Sequence, residues 1–195
     1  HHAPPEWREK FVGKFDHGWD KQRELTLAKQ IELGVVPAGT KLTPRPESIP
    51  SWDSQAPEAK KVYTKLMENY AAYMAYTDHE VGRLLESLRT SGELDNTLVM
   101  YVVGDNGASA EGGLEGTFSE IASLLGIQLG LESTLKRMDE IGGPTSEPHV
   151  PVGWAWAMTA PFQWTKQVAS HFGGTRNPLV VHLSLIHISE PTRRR

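Results

Sequence analysis

The sequence predicts an α/β fold with a mostly parallel sheet, on three features of its pattern. Apolar residues recur at steps of three and four from Val62 to Leu88, which indicates one face of a long helix. Residues 97–103 form an apolar, β-branched run, and a second such run begins at Leu179. A strand without polar alternation is typical of a sheet that helices cover on both faces.

The individual elements follow from their start and stop signals. Pro5 and Pro57 suit the first position of a helix, whereas Gly34 and Gly92 suit the position just beyond its end. Residues 154–158 fit either a strand or a packed loop. In chain order the other predicted elements are helices at 6–15 and 19–33, an irregular connection at 35–52, the long helix from 57 to about 91, the strand at 97–103, helices at 118–126, 131–141 and within 161–172, a turn at 173–176 and a strand at 179–182.

The composition is that of an ordinary soluble protein. The chain has 195 residues, of which 38% are hydrophobic and 23% charged, and its mean hydropathy is -0.41. Such values exclude collagen, coiled coils and wholesale disorder. Because no apolar run approaches the ~18 residues that span a bilayer, we expect no membrane-spanning segment.

Charge and cysteine content narrow the classes of partner. The chain carries 20 basic and 24 acidic residues, a formal charge of -4, and no cysteine. Affinity for nucleic acid depends on clustered lysine and arginine, so we expect no nucleic-acid partner. Without cysteine the chain offers no disulfide, no thiolate metal site and no thiol nucleophile. The compartment stays undetermined, and a signal for export to the periplasm or beyond would lie upstream.

A polar loop follows the strand at 97–103. It places Gly104, Asp105, Asn106 and Gly107 at the carboxyl end of that strand, which is where α/β sheets bind ligands. A carboxylate beside an amide carbonyl offers two hard oxygens, which suit Ca²⁺ or Mg²⁺. Asp-Asn-Gly is equally common as a plain turn. The residues alone therefore leave a pair of metal ligands and an Asx turn as alternatives.

A second polar segment surrounds a Gly-Gly turn. Lys166 and His171 precede the glycines at 173–174, and Arg176 follows them. An ammonium group can act as a compact charge for an oxyanion, and backbone N–H groups beside glycines add donors. The alternative is a surface lysine, a loop histidine and an arginine with a structural role.

Several segments, taken in order, resemble the central and later part of a type I sulfatase catalytic domain. They are Ala-Pro-Pro-Glu-Trp at 3–7, the segment at 14–23, Asp-His-Glu-Val-Gly-Arg at 78–83, Val-Gly-Asp-Asn-Gly at 103–107 and Gly-Gly-Thr-Arg at 173–176. This ordered set covers residues 1–182 and is far more specific than any single segment. The chain is thus similar to the arylsulfatases of the alkaline-phosphatase-like superfamily.

The resemblance implies a partial alkaline-phosphatase-like three-layer sandwich, truncated at both ends, that hydrolyses sulfate esters of small molecules or carbohydrates. It also implies a divalent cation, usually Ca²⁺, bound in part by Asp105 and Asn106, and contact between Lys166 and the sulfate. Sulfatases attack sulfur with a formylglycine made within a Cys/Ser-x-Pro/Ala-x-Arg motif, which residues 1–182 lack. We therefore expect the nucleophile to lie outside this chain, and the fragment alone to be inactive.

The end of the chain differs from the rest. Residues 183–195 run from a strand-like start into a basic terminus with no turn and no amphipathic partner. They look like translated adapter sequence, and we expect them to be a non-native tail. The alternative is a native, solvated basic tail.

Two alternatives to a sulfatase stay open from the sequence. A phosphate or phosphonate ester hydrolase of the same superfamily would use overlapping metals and strand-end acids. A non-catalytic carbohydrate-binding or interaction module fits the acidic charge and the six tryptophans. The presence or absence of the nucleophile motif in the upstream coding sequence would separate these alternatives.

Overall fold

A computed structural model describes residues 1–127 and 129–183, and its longest element is one helix of 34 residues. The predicted tail at 183–195 lies outside the described residues except for Leu183. Short 3₁₀ turns occur at Leu94–Asn96 and Met138–Glu140. The helices and strands are α1 (Pro5–Glu9), α2 (Gly18–Glu32), α3 (Pro57–Thr90), β1 (Val99–Val102), α4 (Glu120–Leu124), α5 (Gly130–Lys136), α6 (Val152–Met158), α7 (Phe172–Thr175) and β2 (Leu179–His182).

Helix α3 begins and ends where the sequence predicts. Pro57 occupies the first helical position, and Gly92 adopts a φ of +78° just beyond the end, a backbone conformation that glycine adopts without strain. The predicted apolar stripe is buried only over the first half of the helix. Val62 and Leu66 are 0% and 2% exposed, whereas Leu84 is 62% exposed. The second half therefore presents apolar surface that the described residues do not cover.

An aromatic core holds α2, α3 and α6 together. The ring of Trp19 lies 4.9 Å from that of Trp52 and 5.9 Å from that of Trp154. The indole N–H of Trp154 donates to the backbone oxygen of Tyr63 at 3.0 Å, which satisfies a polar group that would otherwise be costly to bury. Residues 154–158, which the sequence leaves ambiguous, thus belong to a buried helix.

The two described strands are antiparallel, so the mostly parallel sheet stays a prediction. In the described part of the chain, β1 and β2 form a two-stranded antiparallel sheet, with Val99 opposite His182 and Val102 opposite Leu179. Both strands lie where the sequence predicts them, but they are not buried on both faces. Met100 is 57% exposed, and all of β2 is exposed. The apolar runs therefore lack, within these residues, the helical cover that they predict.

Two other predicted helices differ from the structure: one is shorter than predicted, and the other is absent from nearly all of its predicted segment. The first predicted helix ends at Glu9, because turns follow it up to Gly13, whose φ is +73°. The segment 161–172 is not a helix, since Trp164 and Gln167 have φ values of 69° and 75° that a right-handed helix excludes. The predicted turn at 173–176 is instead occupied mainly by the short helix α7.

Within residues 1–127 and 129–183, no helix is both long enough and apolar enough to cross a bilayer.

The contact between α6 and α2 predicts a sensitive position at Gly153. A Cβ atom there would lie 2.5 Å from the ring of Trp19, which is 2% exposed and cannot move aside freely. Overpacking of this kind costs about 1–3 kcal/mol, more than the ~1 kcal/mol that alanine gains over glycine inside a helix. Gly153→Ala should therefore lower the urea midpoint measured by tryptophan fluorescence. Gly82→Ala, on the open side of α3, should leave the urea midpoint unchanged or raise it. Equal midpoints for Gly153→Ala and Gly82→Ala would contradict the close packing of Gly153 on Trp19.

The exposed sheet predicts self-association. Flat apolar strands with free edges tend to pair with other chains. Placing a charge at Val181, which is 55% exposed, should reduce the apparent mass measured by light scattering at a fixed protein concentration. Val12→Lys is the matched control, because Val12 is 63% exposed but lies outside the sheet. Equal changes in apparent mass for Val181→Lys and Val12→Lys would show that the chains do not associate through the sheet.

Candidate functional site

Two loops meet beside the carboxyl end of β1. The first, residues 103–111, follows β1, and the second, residues 163–171, precedes α7. The N–H of Gly107 donates to the oxygen of Gly174 at 2.9 Å, and the N–H of Lys166 donates to the oxygen of Ala108 at 2.9 Å. The structure thus joins the two polar segments that the sequence singles out.

The contact between these segments leaves no room for side chains. A Cβ atom at Gly107 would lie 1.7 Å from the backbone oxygen of Gly173, and one at Gly173 would lie 2.1 Å from the oxygen of Trp164. Separations this short would force the backbones apart. Glycine at 107 permits the approach of the first loop to the second segment, whereas glycine at 173 permits close packing within the second segment itself.

A buried arginine anchors the segment that leads into the second loop. Arg23 of α2 is 1% exposed, and its guanidinium donates to the backbone oxygens of Trp156, Pro161 and Phe162. Its planar fork also lies over the Trp156 ring, with 4.0 Å between Cζ and the ring centroid. Burial lowers the pKa of Arg23 to about 10, so the group stays charged at neutral pH and its hydrogen bonds persist.

Asp105 and Asn106 lie exposed in the first loop. The amide nitrogen of Asn106 donates to one carboxylate oxygen of Asp105. This contact leaves the second carboxylate oxygen and the amide oxygen as ligands of the hard type that Ca²⁺ and Mg²⁺ prefer. The donor set therefore fits part of such a site, although Ca²⁺ takes ~6–8 oxygen ligands in all.

Lys166 is paired with a carboxylate that the sequence analysis does not select. Its ammonium nitrogen lies 3.1 and 3.2 Å from the two oxygens of Glu111, and its side chain is 33% exposed. The hydroxyl of Ser109 donates to Glu111 at 2.7 Å. Hydrogen bonds from Ser109 and Lys166 hold the pKa of Glu111 below its ordinary value of 4.5. Lys166 is thus oriented by an ionised neighbour.

The remaining residues of the second segment lie near the loop contact. The His171 ring nitrogen Nδ1 is 2.9 Å from the hydroxyl of Ser170. The guanidinium of Arg176 lies 5.2 Å from the ring centroid of Phe162 and lines a cavity of about 470 Å³ that reaches Gly107. Arg83 pairs with Glu80 at 2.6 Å on the exposed surface of α3, as expected of a structural ion pair.

One further polar cluster was not predicted. Glu111, Glu120 and His149 each bring a ligand atom within 4.8 Å of the others. Glu111 and Glu120 are close in the sequence, but His149 comes much later and the three share no motif spacing, so no signal in the sequence connects them. Only Glu111 lies in a loop that the sequence singles out.

Comparison with known proteins identifies relatives of the whole segment. A sequence model of the sulfatase family matches residues 1–187. An uncharacterized sulfatase of Schizosaccharomyces pombe is 31% identical over 182 residues, which are 92% of this chain and 31% of the relative. An arylsulfatase of Klebsiella aerogenes is 35% identical over 107 residues, which are 55% of this chain and 23% of that protein. The chain thus spans a third or less of the length of these relatives.

The pairing of Lys166 with Glu111 predicts a titration that depends on the lysine. Lys166→Met should raise the pKa of Glu111, measured by NMR of its carboxyl carbon, because a hydrogen bond and a positive charge are removed. A carboxyl whose folded-state pKa is depressed stabilises the fold above its unfolded pKa, and this contribution is lost as the pH falls through the folded pKa. The wild type should therefore lose more stability than Lys166→Met when the pH falls below about 4.5.

Glu140 serves as the internal reference in this titration. Hydrogen bonds from Arg137 and Thr145 lower its pKa to about 2, and neither partner contacts Lys166. Its pKa should stay where it is in Lys166→Met. An unchanged pKa of Glu111 would mean that the ion pair is absent in solution.

Proposed function

The chain belongs to the sulfatase family, and from that premise we propose that it is part of a sulfuric ester hydrolase whose site uses Asp105, Asn106 and Lys166. Because the matched segments are only 31% and 23% of the two relatives, the activity belongs to a longer protein of which this sequence is a segment. The substrate is a sulfate ester of a small molecule or carbohydrate. The partial sandwich with a mostly parallel sheet is proposed for that longer protein, where β1 and β2 would gain further neighbours.

The observation that carries this proposal is the backbone contact between the two polar loops. The loop with Asp105 and Asn106 accepts a backbone hydrogen bond from Lys166 through Ala108, which supports a shared site for the three side chains. Two hard oxygens can hold a cation, and that cation and one ammonium group together complement the charge of an anionic ester group. Positive charge fixed in advance at such a group stabilises the negative charge that builds up in the transition state.

The divalent cation, Ca²⁺ in this proposal, would be held by the carboxylate of Asp105 and the amide oxygen of Asn106. When bound, such a cation polarises the oxygens of the ester as a Lewis acid. The other ligands would come from parts of the longer protein that this sequence does not contain. In this chain, the first loop fixes the position of the two oxygens, because the backbone hydrogen bond of Gly107 anchors it to the second segment.

Lys166 would bind and orient the sulfate. Glu111 fixes the ammonium group at 3.1 Å, and Ser109 fixes Glu111, so the lysine is held before the substrate arrives. A charge that needs no reorganisation during the reaction is worth more than a mobile one. Glu111 is therefore a positioning residue in this proposal.

The nucleophile is proposed to be a formylglycine supplied outside residues 1–182. A Ser-x-Pro-x-Arg spacing does occur once, at residues 189–193, but it falls in the tail that we interpret as non-native and outside the described residues. We therefore assign it no role. Recovery of the upstream coding sequence, with its motif, would test this part of the proposal directly.

Removal of the Lys166 charge tests the proposed site. In the complete enzyme, Lys166→Ala should lower kcat/KM for 4-nitrophenyl sulfate by ~10²-fold or more, since a group aimed at the transferring centre is worth several kcal/mol. The thermal midpoint should change little, because the side chain is not part of the aromatic core. Parallel assays on 4-nitrophenyl phosphate would show whether sulfate is the preferred ester.

The matched control is Lys61→Ala on the exposed side of α3. Exposed substitutions of this kind usually change stability by less than ~0.5 kcal/mol and leave activity unchanged. Equal kcat/KM values for Lys166→Ala and Lys61→Ala would remove Lys166 from the site. A higher kcat/KM for the phosphate ester would favour the phosphoester alternative.

A further inference from the structure

Beyond the proposed ester hydrolysis, we propose that Glu111, Glu120 and His149 form a second cation site, suited to Zn²⁺ and similar borderline divalent metals. One ligand atom from each residue lies within 4.8 Å of the others. Glu111 comes from the loop after β1, Glu120 begins α4, and His149 precedes α6. Asp105 and Asn106 are not members of this cluster, so it is distinct from the proposed calcium ligands.

The imidazole of His149 is fixed as in a metal ligand. The residue is 5% exposed, and reciprocal 3.0 Å backbone hydrogen bonds with Thr117 hold it in place. Its Nδ1 lies 3.1 Å from the carbonyl oxygen of Val150. Because a carbonyl can only accept, Nδ1 is the donor in this contact, which leaves Nε2 as the ring nitrogen available to a cation. Among residues 1–127 and 129–183, no hydrogen bond to that Nε2 is found. Metal-binding histidines are typically oriented in this way by their other ring nitrogen.

The two carboxylates complete the cluster from fixed positions. The backbone N–H of Glu120 donates to the oxygen of Glu147 at 2.8 Å, which fixes the start of α4. The hydroxyl of Ser109 holds Oε2 of Glu111 at 2.7 Å, and the ammonium group of Lys166 lies 3.1 Å from Oε1. A cation bound at Oε1 would therefore compete with Lys166 for that oxygen, while Oε2 keeps its contact with Ser109.

The mixture of donor atoms selects the class of metal. One imidazole nitrogen and two carboxylate oxygens suit Zn²⁺, Co²⁺ or Mn²⁺, whereas Ca²⁺ and Mg²⁺ take oxygen ligands almost exclusively. The two carboxylates balance the charge of a dication. Three protein ligands also leave one tetrahedral position open to water or another ligand. The cluster thus differs from the oxygen pair at 105–106 in both chemistry and expected metal.

The test measures Zn²⁺ affinity of the 195-residue chain by competition with a chromophoric chelator, and the visible absorption of the Co²⁺ form. We expect one equivalent to bind at this cluster. Glu120→Gln and His149→Gln should each weaken that binding by at least about 10-fold, the loss typical of even outer-sphere partners of a metal, and should change the Co²⁺ spectrum. Circular dichroism verifies that each variant is folded, and Glu120→Gln serves alone if His149→Gln is not.

Two controls separate this site from other metal-binding groups. His2→Ala breaks the terminal histidine pair, which could itself bind Zn²⁺, and keeps the His1 ring, whose centroid lies 5.9 Å from that of His149. Asp105→Asn tests the proposed calcium ligands. Neither variant should change the affinity of the equivalent assigned to the cluster. Unchanged binding in Glu120→Gln, or loss of all binding in His2→Ala, would overturn the proposal. Sulfatase activity does not enter the readout, so failure here leaves the proposed function intact.

Discussion

The candidate site depends on a contact between two backbones. Gly107 and Lys166 each donate one hydrogen bond across the gap between the loops, and the absence of a side chain at Gly107 permits that approach. Without it, the oxygens of Asp105 would stand at one loop tip and the Lys166 ammonium at another. Because hydrogen bonds between backbones do not depend on side-chain chemistry, they fix the geometry while leaving the side chains available for a ligand.

The aromatic core supports this contact from behind. Trp154 in α6 packs on Trp19, and Arg23 ties the chain after α6 to α2 through several backbone oxygens. A buried arginine is costly unless its donors are used, and here they serve to aim a segment without regular structure. Stability and site geometry are therefore coupled: the core that stabilises the chain also determines where the second loop begins.

The sequence predicts the parts of this architecture that local signals encode. The spacing of apolar residues locates α3, Pro57 and Gly92 give its two ends, and the apolar runs locate β1 and β2. The antiparallel pairing could not be predicted, because a short run without alternation carries no direction or register. Resemblance selects Asp105, Asn106 and Lys166, and their loops do meet. The partner of Lys166 could not be found in this way, since Glu111 lies 55 residues earlier and only the fold brings it near.

The hydrogen bond from Gly107 to Gly174 also closes a long loop of the chain, which runs between these two residues. In polymer terms, the free energy of closing a loop rises only with the logarithm of its length, about 0.6 kcal/mol for each doubling. Insertions near the exposed end of α4, where Leu124 and Leu125 are both 71% exposed, would thus add little to the free energy of loop closure. They would leave the hydrogen bond between Gly107 and Gly174 unaltered. Such an arrangement allows the surface around the site to diversify over evolution while the positions of its charged groups are inherited unchanged.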